Sequence, residues 1–312
     1  MQKMFLPSVR KLLAALVIVL ALPAFADDAT TGGGVVYAKM PAHPAMWTAH
    51  GRKGTAYLFG SIHVLPANVD WHTKEIDAAM ARSDVMVFEL AFGDKLQGEV
   101  QSYIQTRGKL PEGQHLRDML SPEAKGEFDA ELENLSIAPA AVDHLRPWLA
   151  SLMFDIAEMK KKNYSSAAGV EMSLKDGDGG AAQKPVIGLE TIEQQMALIV
   201  PSDPKVELES FEASLKSSKT EAQGDDVGPM LDAWMHAKTD RLDALMGKAF
   251  KNYPAARKAL LDDRNQAWAE KLASMLDNDD KTYFVTVGAA HLVGPGGVPN
   301  LLRRRGYRVK GP

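Results

Sequence analysis

Tyr283-Phe284-Val285-Thr286-Val287-Gly288-Ala289-Ala290-His291 is an aromatic and β-branched run that closes on Gly-x-x-His. Its apolar residues have the composition of a buried strand, and Gly288 lets the backbone turn sharply where that strand ends. The histidine lands just beyond, where open α/β sheets present groups to their ligands. Tyr57-Leu58-Phe59-Gly60-Ser61-Ile62-His63 repeats the pattern more than two hundred residues earlier. Two matching strand ends so far apart point to one site assembled from distant strands.

Reading outward, Met46 to His50 and Thr55 to Gly60 flank Gly51-Arg52-Lys53-Gly54 and form a β-hairpin pattern. Thr73 is placed as the N-cap of a helix of about ten residues. Val85-Met86-Val87-Phe88-Glu89 reads as a buried strand ending in an acid, and Pro185-Val186-Ile187-Gly188-Leu189-Glu190 reads the same way. Helical spacing runs over 94–106, 122–135 and 147–162. Four or five more helices fill 191–276, broken near Pro201, 224–228 and Pro254. The C-terminus returns to strand 282–287, a Gly-rich turn, helix 298–305 and a last strand from Tyr307 to Lys310. The expected fold class is α/β (mixed α+β). One mixed sheet is built from both ends of the chain, with large helical insertions at about 94–165 and 191–276. A single domain is expected over 46–312.

The N-terminus has the layout of a cleaved export signal. Lys3, Arg10 and Lys11 precede the apolar stretch Leu12 to Leu22, and Ala24-Phe25-Ala26 supplies small residues for cleavage after Ala26. The stretch is too short for a membrane span, which needs roughly 20 apolar residues. A periplasmic or secreted protein with a flexible arm, Gly-rich and placed at 27–45, is therefore expected. The formal charge of −4 makes nucleic acid or an anionic membrane surface a poor partner. With no cysteine, stability must come from packing, and a cysteine nucleophile, a cysteine-ligated zinc site and an iron–sulfur cluster are excluded.

Four strand ends carry ionisable residues: His63, Glu89, Glu190 and His291. A carboxylate that follows a hydrophobic run is costly to bury unless paired or bound, so two of them suggest a shared polar pocket. Two imidazoles with one or two of the carboxylates Glu89 and Glu190 are a ligand set for a divalent metal with an open water position. The same groups can work without metal, one histidine serving as general base. Arg264 and Asn265 add a cation and an amide suited to an oxyanion or a substrate carbonyl. Against this stand the plainer alternatives: a hydrogen-bonded structural histidine, carboxylates capping helices, and an arginine paired along its own helix. The other histidines, His43, His50, His72, His115, His144 and His236, have no comparable setting. Gly294-Pro295-Gly296-Gly297-Val298 reads as a tight turn and not a dinucleotide fingerprint, because Pro299 stands at the third glycine position. Asp176-Gly177-Asp178-Gly179-Gly180 fails as a calcium loop, since its last ligand position falls on Ile187. No Gly-x-Ser-x-Gly elbow or His-Glu-x-x-His helix is present.

Taken in order, Leu58 to His63, Val87 to Leu90, Gly169-Val170-Glu171, Pro185 to Thr191 with Gln194-Gln195, Arg264 to Trp268, and Val285 to Gly294 resemble the TraB/GumN family, which includes the Tiki proteases. The resemblance covers nearly the whole chain beyond the signal. It implies a fold related to erythromycin esterases and ChaN-like haem-binding proteins. It also implies a metal-dependent peptidase centre at His63, His291 and Glu89, supported by Glu190, Arg264 and Asn265. The family often has Asp where Glu171 stands.

The leading expectation is an extracytoplasmic hydrolase acting on a peptide or other small substrate, with Mn, Co or Zn polarising the scissile carbonyl. The alternatives are a metal-independent ester or amide hydrolase, a periplasmic haem- or ligand-binding protein, and an auxiliary role in surface polysaccharide production.

Overall fold

Seven consecutive residues of strand β9, Thr282–Gly288, lie at the centre of a six-stranded sheet, and all but the first are buried. The computed structural model describes residues 38–175, 177, 183–221 and 227–312. The stretch expected to be an export signal, the expected arm before Ala38 and most of the Asp176 to Gly180 loop lie outside the described residues.

In chain order the strands are β1 (Met40–Pro41), β2 (Met46–His50), β3 (Thr55–Ser61), β4 (Leu65–Pro66), β5 (Val69–Asp70), β6 (Val85–Phe88), β7 (Tyr164–Ser165), β8 (Val186–Gly188), β9 and β10 (Arg308–Lys310). The main sheet runs β10-β2-β3-β9-β6-β8. The two pairings on its β10 side, β10 with β2 and β2 with β3, are antiparallel. The pairings β3–β9, β9–β6 and β6–β8 are parallel. The late strand β9 is inserted between two strands from the first third of the chain, so both chain ends build one mixed sheet, as the pattern predicts.

The parallel set decides where the chemistry sits. Ser61 pairs with Gly288, Thr286 with Phe88, and Phe88 with Gly188. The chain therefore leaves β3, β9, β6 and β8 at one edge of the sheet. His63, His291, Glu89 and Glu190 follow directly at that edge, where parallel sheets place ligands.

Short segments without periodicity escaped the sequence reading. Met40–Pro41 pairs with Val69–Asp70, and Ala42 is buried, so the body begins earlier than residue 46. Among the described residues no helix is long and apolar enough to cross a membrane.

Two hydrophobic cores form. One lies on the sheet and includes Phe59, Met86, Trp268, Leu272 and Phe284. The other is made by the helical insertions, with Phe128, Phe154 and Phe211 packed at ring separations of 5.9 to 6.1 Å. Val64 and Leu90, which follow His63 and Glu89, belong to the helical core. So do Ile192 and Met196, on either side of Gln195. The strand-end residues thus sit on the seam between the two cores.

Candidate active site

Backbone geometry first brings the histidines to the edge. A Cβ on Gly60 would lie 2.9 Å from the Cα of Ala289, so glycine lets the two Gly-x-x-His turns pack closely. Trp234 Nε1 donates to the Gly60 carbonyl at 2.7 Å and anchors the first turn from outside. A second close approach occurs at Gly169, where a Cβ would lie 2.0 Å from the His63 carbonyl oxygen. Val170 N donates to the Ile62 carbonyl at 3.1 Å, so the short helix Val170–Lys175 starts against this turn. Glu171 is thereby carried to His63.

His63 and Glu171 are both buried. Nδ1 of His63 lies 2.8 Å from Glu171 Oε1, and Ser61 Oγ donates to the same oxygen. Burial alone would raise the Glu171 carboxyl, but His63 and the Ser61 hydroxyl hold it below the ordinary range. A proton on Nδ1 suits this carboxylate and leaves Nε2 as the basic nitrogen of His63.

Arg264 ties the other strand ends together. A π-type turn, Lys258–Asp262, runs directly into the helix Asp263–Asn278 that carries it, a distortion often found at functional sites. Its guanidinium donates to Glu89 Oε2 through Nη2, and to Glu190 through Nη2 and through Nε at 3.0 Å. Nη1 donates to the Leu260 carbonyl and to His291 Nε2, each at 3.2 Å. Its central carbon sits 4.6 Å above the Trp268 ring. All five guanidinium hydrogens are committed.

His291 is wholly buried and is held at both ring nitrogens. Asn265 Nδ2 donates to the Gly296 carbonyl at 2.9 Å, so its Oδ1 is the acceptor that meets His291 Nδ1 at 2.6 Å. The proton is therefore on Nδ1, and Nε2 accepts from Arg264. Burial and the Arg264 charge push the imidazole down to about 3, so it is neutral at pH 7. Glu89 Oε1, 4.0 Å from that Nε2, consequently faces no ion-pair partner there and accepts from Gly288 N at 2.8 Å.

The two carboxylates around Arg264 differ. Burial opposes ionisation of Glu89, but Arg264 together with His63 and the Gly288 N–H brings it below the ordinary range. Glu190 is raised, because burial, reinforced by the Glu89 charge, outweighs its bonds to Arg264 and Gln195. Gln195 Nε2 bridges the pair, donating to Glu190 Oε1 at 3.1 Å and more loosely to Glu89 Oε2 at 3.4 Å.

All six residues singled out from the sequence thus meet in one cluster. Arg264 contacts Glu89, Glu190 and His291, Asn265 holds His291, and His63 acts electrostatically on both Glu89 and His291. Two expectations of role change. Arg264 has no uncommitted N–H and so offers no hydrogen bond to an oxyanion, while Asn265 gives its oxygen to His291 and one of its two amide hydrogens to Gly296. The expected metal ligands also fail a test of fit. Neutral imidazoles with Nδ1 held elsewhere are good donors in kind. The guanidinium of Arg264, however, occupies the lone pair of His291 and the carboxylate of Glu89. Among the described residues no group of three or more His, Asp or Glu side chains is disposed to hold a metal ion. A fixed cation stands where the Mn, Co or Zn centre was expected.

Ser61, Glu171, Gln195 and Gly288 complete the cluster. The Gly-Val-Glu and Gln-Gln motifs signalled Glu171 and Gln195, but nothing in the sequence assigned them partners.

The chain matches the model of the TraB/PrgY/gumN family over residues 45–311. It is 25% identical over 254 residues to the uncharacterized protein YbaP of Escherichia coli (strain K12), covering 79% of this chain and 87% of YbaP. The YbaP of Shigella flexneri is 25% identical over 255 residues, with 80% and 88% coverage. No solved structure gives a significant match. With the ordered motifs and a family match across most of its length, this chain belongs to the TraB/PrgY/gumN family.

Proposed function

We propose that this protein is a hydrolase of amide or ester bonds in peptides or other small substrates, acting outside the cytoplasm without a metal ion. The observation that carries the reading is the buried Ser61–Glu171–His63 relay beside a carboxylate pair fixed by Arg264. The extracytoplasmic location rests on the Lys3 to Ala26 layout alone.

In this reading Glu171 holds Nδ1 of His63, and Nε2 takes a proton from water as its oxygen bonds to the scissile carbonyl carbon. The carbonyl π electrons move onto oxygen. Arg264 stabilises that negative charge by its own charge, at short range in a poorly solvated pocket, without surrendering a hydrogen bond. When the intermediate collapses, Glu190 protonates the departing nitrogen or oxygen. It is the member of the pair whose pKa is raised, by burial and the Glu89 charge, the direction that favours a proton donor. Glu89 stays ionised and, with His291, keeps Arg264 in place.

Replacing His63 by Ala should reduce turnover of acylated peptide anilides and p-nitrophenyl esters by at least about 100-fold, the usual worth of a general base. Glu171→Gln should give a smaller loss and an altered pH profile, because Gln can present the wrong group to Nδ1. Full activity in His63→Ala would overturn the assignment of the base.

A further inference from the structure

The carbonyl of Gln195 is a feature of this cluster that the mechanism above does not use. Gln195 is 1% exposed, on the helix Ile192–Ile199. That helix is firmly set, since Thr191 and Gln194 cap it reciprocally. The side chain has a defined orientation. Its Nε2 group points both hydrogens at carboxylates, Glu89 Oε2 and Glu190 Oε1. Exchanging the amide oxygen and nitrogen would set an oxygen against two carboxylates, which is repulsive. Oε1 is therefore the amide atom turned away from the carboxylates, and it is buried with no hydrogen-bond partner among the described residues. Glu171 Oε2 is a second buried oxygen in the same condition.

Both unmet atoms are acceptors. A buried acceptor without a donor carries its full desolvation cost, about 1–3 kcal/mol. The five hydrogens of Arg264 and the two of the Gln195 amide are already committed. A ligand that relieves them must bring N–H or O–H hydrogens of its own. The linkage of an ester brings none, whereas that of a secondary amide brings one.

We propose that Gln195 is a specificity-determining residue that accepts a hydrogen bond from the N–H of a bound secondary amide and so favours amides over esters. The inference rests on the hydrolase reading above and sharpens its substrate class. Gln195 has a second duty in holding Glu89 and Glu190, so its removal lowers turnover of every substrate. Only the acceptor role changes the ratio between substrates.

The test uses three probes with one acyl part: an acetylated dipeptide p-nitroanilide, its N-methyl anilide and its p-nitrophenyl ester. Each rate is normalised to the probe's own alkaline hydrolysis. With the wild-type protein, N-methylation should lower normalised kcat/KM by about 10- to 100-fold, the worth of one buried hydrogen bond. In Gln195→Met the N–H anilide should lose about that much more than the N-methyl anilide and the ester. Equal losses on all three probes overturn the proposal, since a purely structural residue, or a water bound to Oε1, would serve them alike. Should Gln195→Met not fold, the wild-type ratio of anilide to N-methyl anilide decides by itself. Absence of turnover on every probe removes the hydrolase reading and this inference with it.

Discussion

His291 has an acceptor at one ring nitrogen, Asn265 Oδ1, and a donor at the other, Arg264 Nη1. That arrangement fits only the neutral ring, and it gives a pH signature. The folded value of about 3 lies below the ordinary 6.5, so the group's stabilising effect is complete above pH 6.5 and is lost as pH falls toward 3. In this window the wild-type protein should lose up to about 1.4 kcal/mol of stability per pH unit from His291. His291→Gln should show a shallower fall of Tm between pH 6.5 and 5, even if its Tm at pH 7 is lower. Glu89 and Glu171 act in the same sense further down: both lie below 4.5, so their stabilisation is present above that value and fades below it. Glu190 acts oppositely, being raised, and favours the fold at low pH. Arg264→Met should be the most damaging change in the cluster. It leaves two buried carboxylates without their cation, at a cost of about 3–5 kcal/mol measured by denaturant unfolding at pH 7.

At the scale of elements, the sequence reading was strongest where one segment declares itself. The β2–β3 hairpin, the acid-ended strands β6 and β8, and the Thr73 N-cap all carry local signals, and each forms as expected. The convergence of His63, Glu89, Glu190 and His291 was legible because all four stand at strand ends of one parallel set. What one sequence could not supply was pairing. Glu171 meets His63 only because Gly169 lets a helix start against the His63 carbonyl. The commitment of the Arg264 and Asn265 donors likewise depends on Leu260, Gly296 and the carboxylates, which lie on other segments or other turns. Gly169→Ala tests this contact. A Cβ 2.0 Å from a backbone oxygen forces the helix away, so stability should fall by about 1–3 kcal/mol. Turnover should fall further than stability accounts for, because Glu171 is displaced from His63. An alanine variant with wild-type kcat would show that this close approach does not position the relay.

On the scale of the whole molecule, two cores meet at the site. The helical core packs on its own members, the helix Pro204–Glu221 lying against Pro122–Leu135 and Pro147–Lys161. Arg146 and Glu207 reinforce it, with Glu207 Oε1 accepting from Trp148 N at 3.1 Å at the start of the 147–161 helix. Phe154→Ala should cost about 3–5 kcal/mol. Its loss of hydrogen-exchange protection should be larger in the helices than in β9, because the cavity opens within the helical core. His63, Glu89, Glu171 and His291 are each no more than 4% exposed. In the proposed reading, a substrate reaches them only when packed segments at the seam separate, a motion of the kind that often limits turnover. The central claim remains chemical: a guanidinium, and not a metal ion, organises the carboxylates around the His63 base. It is tested most directly by dialysing the protein against a strong chelator, confirming metal removal by elemental analysis, and measuring hydrolysis of the acetylated dipeptide p-nitroanilide. Unchanged kcat/KM in wild type, with loss in His63→Ala, is the predicted result; activity that disappears on chelation and returns with Mn, Co or Zn would contradict it.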